Sequence, residues 1–285
     1  MTNFLKAIST IINTQIVDVA SFYKSKNRIN AVGDALELFV KDIFANTLKE
    51  TDEAKKSIVY EQVFSYFGNA NNPPDLMLIN GGDAIEVKKI GSENGQIALN
   101  SSYPAAKLFA DSPMITSTCR KCEEWKERDI IYTIASINST SNKLTLLWFV
   151  YGDCYAASRE VYQRVKTKIA DGVISISGVE FSLTKELGRV NKVDPLGITN
   201  LRIRGMWQIE HPSKVYSCLN IKPQPNKTLR LFALVRETKY QSFPIKDREK
   251  LEALVNSNFR IEDVQIKLPD NPVKQVPAKL ISYQI

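Results

Sequence analysis

The stretch NPPDLMLINGGDAIEVKKI, residues 72–90, constrains the fold of this chain more than any other. Two strand-forming runs, 75–79 and 84–90, flank NGGD, a strong hairpin signal because glycines accept the left-handed backbone of a tight turn. With Asn80 paired to Asp83 across Gly81-Gly82, Asp75 faces Lys88 and Met77 faces Glu86. Side chains alternate along a strand, so Asp75, Glu86 and Lys88 share one face. Leu76, Leu78, Ile85 and Val87 then point to the other, towards a core. A one-residue slip would scatter this arrangement.

Charges on the inside of a sheet require a partner or a metal. Asp75 and Glu86, with the backbone carbonyl of Val87, make a hard, oxygen-rich site suited to Mg²⁺ rather than to zinc. A lysine beside them orients or helps to deprotonate a water, and offsets charge developing on a phosphate. The competing reading is an ordinary Asp–Lys pair on an exposed hairpin edge.

Around the hairpin the pattern is mixed α/β. Residues 34–48 carry Leu36, Phe39, Val40, Ile43 and Phe44 at helical spacing, with Asp34 as N-cap and Glu37 bordering the stripe. Further strands are expected at 59–67, 129–137, 143–151, 200–204 and 229–236, and helices at 103–110, 118–127, 158–170 and 244–256. This order predicts a mixed central sheet flanked by helices, with inserted or appended recognition elements. All 285 residues are read as one domain, its core at about 30–180 and its recognition elements at about 95–128 and 185–240.

No run of eighteen apolar residues occurs and no export signal is visible, so a cytoplasmic protein without a membrane span is expected. Four cysteines are too few for a disulfide scaffold, and the Cys119–Cys122 spacing lacks the second pair of a zinc site. His211, the sole histidine, lies in a turn-like EHPSK, which argues against chemistry on a histidine base; no GxxxxGK[ST] supports ATP-driven action. The net charge of +7 favours a polyanionic partner.

PPDLML…GGDAIEVKKI resembles the PD-(D/E)xK nuclease motif. The blocks VFSYFGNANNPPD, IALNSSYPAAKL and LGRVNKVDP…LRIRGMW resemble type II restriction endonucleases of the NgoPII type, over most of the chain. That resemblance implies a restriction-endonuclease-like fold, with Asp75 and Glu86 as ligands of Mg²⁺ and Lys88 activating water. Glu37 matches the acidic residue on the preceding helix of such nucleases, although a solvated Glu fits the sequence equally well. It further implies cleavage of double-stranded DNA at GGCC and a companion methyltransferase.

The basic run 185–206 supplies candidate readers: Arg204 first, then Arg202, with Arg189 and Lys192 beside them. Arginine pairs with guanine O6 and N7, but phosphate clamping is the alternative role. After the catalytic strand, Asn100, Ser101, Ser102 and Lys107 can reach bases or phosphates, unless the serines cap a helix. A palindrome calls for a homodimer. Two rivals remain at this stage: a structure-specific repair or junction nuclease, and a DNA-binding protein without enzymatic activity.

Overall fold

The computed structural model describes residues 2–16, 18–24, 32–69, 71–91, 95–138, 141, 143–219, 221 and 227–285. Helix α1 (Phe4–Thr14) begins at Asn3, whose side chain accepts the Lys6 amide, and buries Phe4, Leu5, Ile8 and Ile11. After α2 (Val19–Lys24), α3 (Val32–Ala45) buries the expected stripe of Leu36, Phe39, Val40, Ile43 and Phe44. Asp34 lies in the first turn of α3 rather than at its cap.

Helix α4 (Glu53–Val63) takes the first five residues of the strand expected over 59–67, and the remainder, from Phe64, is strand as expected. Asp52 caps it by accepting the amides of Ala54 and Lys55. Asp42 of α3 is fully buried and gathers Lys56 and Tyr60 from α4, Tyr23 at 2.8 Å and Thr47 at 2.6 Å. Lys56 and Tyr60 lie 14 and 18 residues from Asp42, so tertiary bonding overrides the strand preference of VYEQV, residues 59–63.

The strands follow: β1 (Phe64–Asn69), β2 (Asn72–Leu78), β3 (Ala84–Ile90), then the short β4 (Ile97–Ala98) and β5 (Lys107–Phe109). β6 (Glu127–Ile137) and β7 (Leu144–Tyr151) come next, both buried along almost their whole length. A small sheet holds β8 (Glu180–Ser182), β9 (Gly188–Asn191) and β10 (Leu201–Ile203), and β11 (Gln208–Ile209) pairs with β4. The chain closes with β12 (Arg230–Arg236), β13 (Phe259–Leu268) and β14 (Asn271–Gln284).

The main sheet runs β1-β2-β3-β6-β7-β12-β14-β13, with β5 added on β6. β3 lies parallel to β6 and β12 parallel to β7, while the other pairs are antiparallel, so the sheet is mixed as expected. It does not stop near residue 180, since β12, β13 and β14 take it to Gln284. The helix expected over 103–110 is a turn leading into β5, because Lys107–Phe109 pairs with Glu127–Asp129. The helix expected over 118–127 is shorter, Ser117–Lys121, capped by Thr116. No described helix is long and apolar enough to cross a membrane.

Candidate active site

The β2–β3 ladder pairs Leu76 with Ile85 and Met77 with Ala84, and the Leu78 amide bonds the Asp83 carbonyl at 3.0 Å. The connection is therefore Ile79–Gly82, with Asn80 (φ 56°) and Gly81 (φ 80°) both left-handed, rather than a two-residue Gly81-Gly82 turn. Two extra loop residues move the register by two, and an even slip leaves every side chain on its face. Asp75, Glu86 and Lys88 thus still share a face. Continued beyond the ladder, this register sets Asp75 opposite Glu86, correcting the expected Asp75–Lys88 pairing.

Pro73 and Pro74 have no N–H to give, and the ladder ends at Leu76. Asp75 takes over: its Oδ2 accepts the Val87 amide at 2.6 Å. In an extended strand a residue's carbonyl leaves the same edge as its amide, so the Val87 carbonyl is on the Asp75 side. On the other flank Gly68 of β1 is tightly apposed. A Cβ there would lie 2.3 Å from the Pro74 carbonyl oxygen and 2.8 Å from Asp75 Cα. Sequence reading passed over Gly68, although it sits within the FGNANNPPD block.

Glu86 is buried, and its Oε1 is 2.6 Å from Lys88 Nζ. Its Oε2 is buried with no hydrogen-bond partner. Burial, and then the negative charge of Glu86, push the Asp75 carboxyl up to about 8. Burial alone would depress Lys88, but the carboxylates of Glu86, Asp75 and Glu37 raise it overall, so its ammonium form is favoured. Glu37, exposed on α3, is raised chiefly by desolvation and then by Asp34, and its charge couples to Lys88 and Glu86. A cavity of about 310 Å³ opens beside Glu86, bordered also by Pro73, Tyr132, Lys107 and Arg159.

Two facing carboxylates, one with an unpartnered oxygen, and a nearby carbonyl are the donor set of a hard divalent cation. The residues fit Mg²⁺ better than a softer metal. Among the described residues no three His, Cys, Asp or Glu side chains gather as a metal-binding group. Cys119 Sγ instead donates to Met77 Sδ at 3.4 Å, and Cys122 Sγ to the Cys119 carbonyl at 3.0 Å. His211 is buried and caps a short helix, its Nδ1 accepting the Ser213 amide at 3.1 Å.

The candidate readers collect around Glu186, an acid inside the basic run 185–206 for which no role was expected. Glu186 is buried, and its Oε1 accepts from Ser101 Oγ at 2.8 Å and from Arg204 Nε at 2.9 Å. Its Oε2 accepts from Arg202 Nε at 3.1 Å, and Arg202 Nη2 lies 3.0 Å from the same oxygen in an ion pair. Arg189 is directly opposite Arg202 across β9 and β10, a like-charged pair that an intervening anion would relieve. Asn100 is exposed and left-handed (φ 52°), and its carbonyl accepts the Trp207 amide at 2.8 Å, which with β4–β11 stitches this loop to the arginine segment. Ser102 lines the cavity beside Glu86.

Lys107 also borders that cavity, but it is 2.5 Å from Glu127 and 3.8 Å from Asp129. Lys192 stands apart, paired with Glu180 at 2.5 Å on an exposed surface. The structure therefore brings Arg202, Arg204, Arg189 and Ser101 together and leaves Lys192 outside the group.

Residues 2–267 match the family described as NgoPII restriction endonuclease. The chain is 44% identical to the Type II restriction enzyme NgoPII of Neisseria gonorrhoeae over 283 residues, covering 99% of this chain and 100% of that relative. No solved structure matches it.

Proposed function

The chain belongs to the NgoPII restriction endonuclease family, and from that premise we propose that Asp75, Glu86 and Lys88 are its cutting centre. A type II restriction enzyme is a site-specific deoxyribonuclease, so the reaction is phosphodiester hydrolysis in double-stranded DNA. Asp75, Glu86 and the Val87 carbonyl would hold Mg²⁺, which when bound supplies Lewis-acid stabilisation of the phosphate and a more acidic water.

The chain's own residues have separate tasks. Asp75 ties β2 to the Val87 amide and so fixes the spacing of the two carboxylates. Lys88 is an ammonium in this setting, placed to orient the attacking water and to offset charge on the scissile phosphate. Glu37 adds a carboxylate from the helix side, coupled to Lys88. The basic surface around Arg204 and Arg202 holds the duplex, reading GGCC in the major groove, with Asn100, Ser101, Ser102, Lys107 and Arg189 as further contacts; Lys192, paired with Glu180, lies outside it. A homodimer matches the two-fold symmetry of a palindrome, and a cognate methyltransferase would protect the same sites in the host.

The observation that carries this reading is the unpartnered, buried Glu86 Oε2 beside Asp75 and Lys88. Digestion of a plasmid of known sequence, with Mg²⁺ and with EDTA, tests it. Discrete fragments ending at GGCC only with Mg²⁺ are expected. Fragments ending elsewhere would remove the GGCC assignment, and undiminished cutting in EDTA would remove the metal.

A further inference from the structure

We propose that Glu186 is a positioning residue for sequence recognition, aiming Arg204 at a base edge and Arg202 at the DNA backbone. The proposal rests on the reading of the chain as a sequence-specific endonuclease. Glu186 is the one acceptor shared by three donors from two segments: Ser101 from the loop after β4, and Arg202 and Arg204 from the end of β10. The carboxylate is 7% exposed, whereas the two arginine side chains are 61% and 63% exposed. A buried anion is thus anchoring two cations whose far ends face solvent.

The atoms engaged differ between the arginines, and the difference assigns their work. Arg204 gives only Nε to Glu186, and its guanidinium is otherwise unengaged among the described residues. Both terminal nitrogens remain, in the planar fork that matches guanine O6 and N7. Arg202 bonds through Nε and keeps Nη2 3.0 Å from the same carboxylate oxygen, so the Nη1–Nη2 fork is not free, and the remaining nitrogen suits a phosphate oxygen better. Arg189, opposite Arg202, adds a second cation at that backbone position.

Stability gives little reason for such an arrangement, since ion pairs with exposed partners contribute little. Its effect is preorganisation: a long, flexible side chain is held by its Nε before DNA arrives, which removes an ordering cost from binding. Ser101 extends the same control to the loop that follows the catalytic strand. Its hydroxyl and Arg204 Nε share one oxygen, so a shift of either segment is felt by the other.

The test is equilibrium binding without a cleavage-supporting metal, on duplexes containing GGCC and on each single-base variant, over a salt series. Wild type, Glu186→Ala, Glu186→Gln, Arg204→Ala and the Glu186→Ala/Arg204→Ala double variant are compared, with thermal unfolding of each. Glu186→Ala should lose about tenfold or more of discrimination, at the guanine where Arg204→Ala loses it. Binding to variant duplexes should tighten, because an acid has left a DNA-facing basic surface. The double variant should discriminate no worse than Arg204→Ala alone, and Glu186→Gln, with one carbonyl oxygen left, should fall between wild type and Glu186→Ala. Unchanged discrimination in a folded Glu186→Ala protein would overturn the proposal, as would loss of cognate and variant binding in parallel. A wild-type protein without preference for GGCC would instead remove the target assumed for the readout.

Discussion

Asp75 Oδ2 receives the Val87 amide at 2.6 Å, at the point where the β2–β3 ladder has stopped. One carboxylate oxygen thereby serves the sheet, while burial and Glu86 disfavour its charge. The site thus holds a destabilising feature, which the proposed metal-binding role would account for.

A stability experiment follows with a definite sign. Asp75 moves from 3.8 to about 8 on folding, so between those values the folded chain binds more protons than the unfolded one. For such a group stability falls as pH rises through that window, and is fully present only below 3.8. Asp75→Asn should therefore raise Tm in EDTA at pH 8.5 and change it little near pH 4. Added Mg²⁺ should raise the Tm of wild type alone. A Tm difference independent of pH would mean that Asp75 is not held protonated.

Lys88→Ala removes the ammonium beside Glu86. Cleavage should fall by roughly 10²–10³-fold, the scale of losing one preorganised donor at a developing charge. DNA binding should persist, measured by titration in Ca²⁺. Full activity would exclude this hairpin as the cutting centre.

Gly68→Ala tests the backing of Asp75. A Cβ 2.3 Å from the Pro74 carbonyl must displace backbone, and small displacements of reacting groups can lower rates by about 10²-fold. Gly91→Ala is the control, since nothing lies within 4 Å of its added Cβ. Gly68→Ala should bind DNA but cut poorly, and single-turnover rates distinguish the two. Equal rates for both variants would show that β2 yields without moving Asp75.

What was legible in the sequence depended on how local the determining force was. The face shared by Asp75, Glu86 and Lys88 survived a wrong turn because the slip was even, and side-chain alternation is local. The register was not legible, since Asn80 and Gly81 together allow a four-residue loop as readily as a two-residue one. The end of helix α4 was hidden because VYEQV is rich in strand formers and runs straight into the strand FSYF, while the bonds from Lys56 and Tyr60 that hold it go to Asp42 on another helix. The β13–β14 hairpin went unread although its turn, LPDNP, carries a turn signal. Glu186 gave no sequence signal, because its partners lie 16 to 85 residues away.

The buried anchor of α3 gives a second stability prediction. Burial would raise Asp42, but bonds from Lys56, Thr47, Tyr60 and Tyr23 bring it below the usual carboxylate range. A depressed carboxyl contributes stability above its unfolded pKa and loses it as pH falls. Lys56→Ala leaves this buried charge unpaired, which costs about 3–5 kcal/mol. Exposed Lys55→Ala should change stability by under about 0.5 kcal/mol. Denaturant titration at pH 7 measures both. Comparable small losses would mean that the Lys56–Asp42 pair adds nothing to the fold.

The proposed homodimer divides the cutting of the two strands between its copies. Among the described residues the nuclease pattern occurs once, on β2 and β3, and a palindrome presents one scissile bond on each strand to symmetry-related copies. A dimer in which one copy carries Lys88→Ala should therefore cut one strand only. Co-expression of wild-type and Lys88→Ala chains with distinct tags, followed by tandem purification, isolates the mixed species. On supercoiled plasmid with Mg²⁺ it should accumulate nicked circles, whereas the wild-type dimer produces linear DNA. Linear product at the wild-type rate would show that a single centre cuts both strands in turn. Failure to recover any doubly tagged species would argue for a monomer, and the symmetry argument would fall with it.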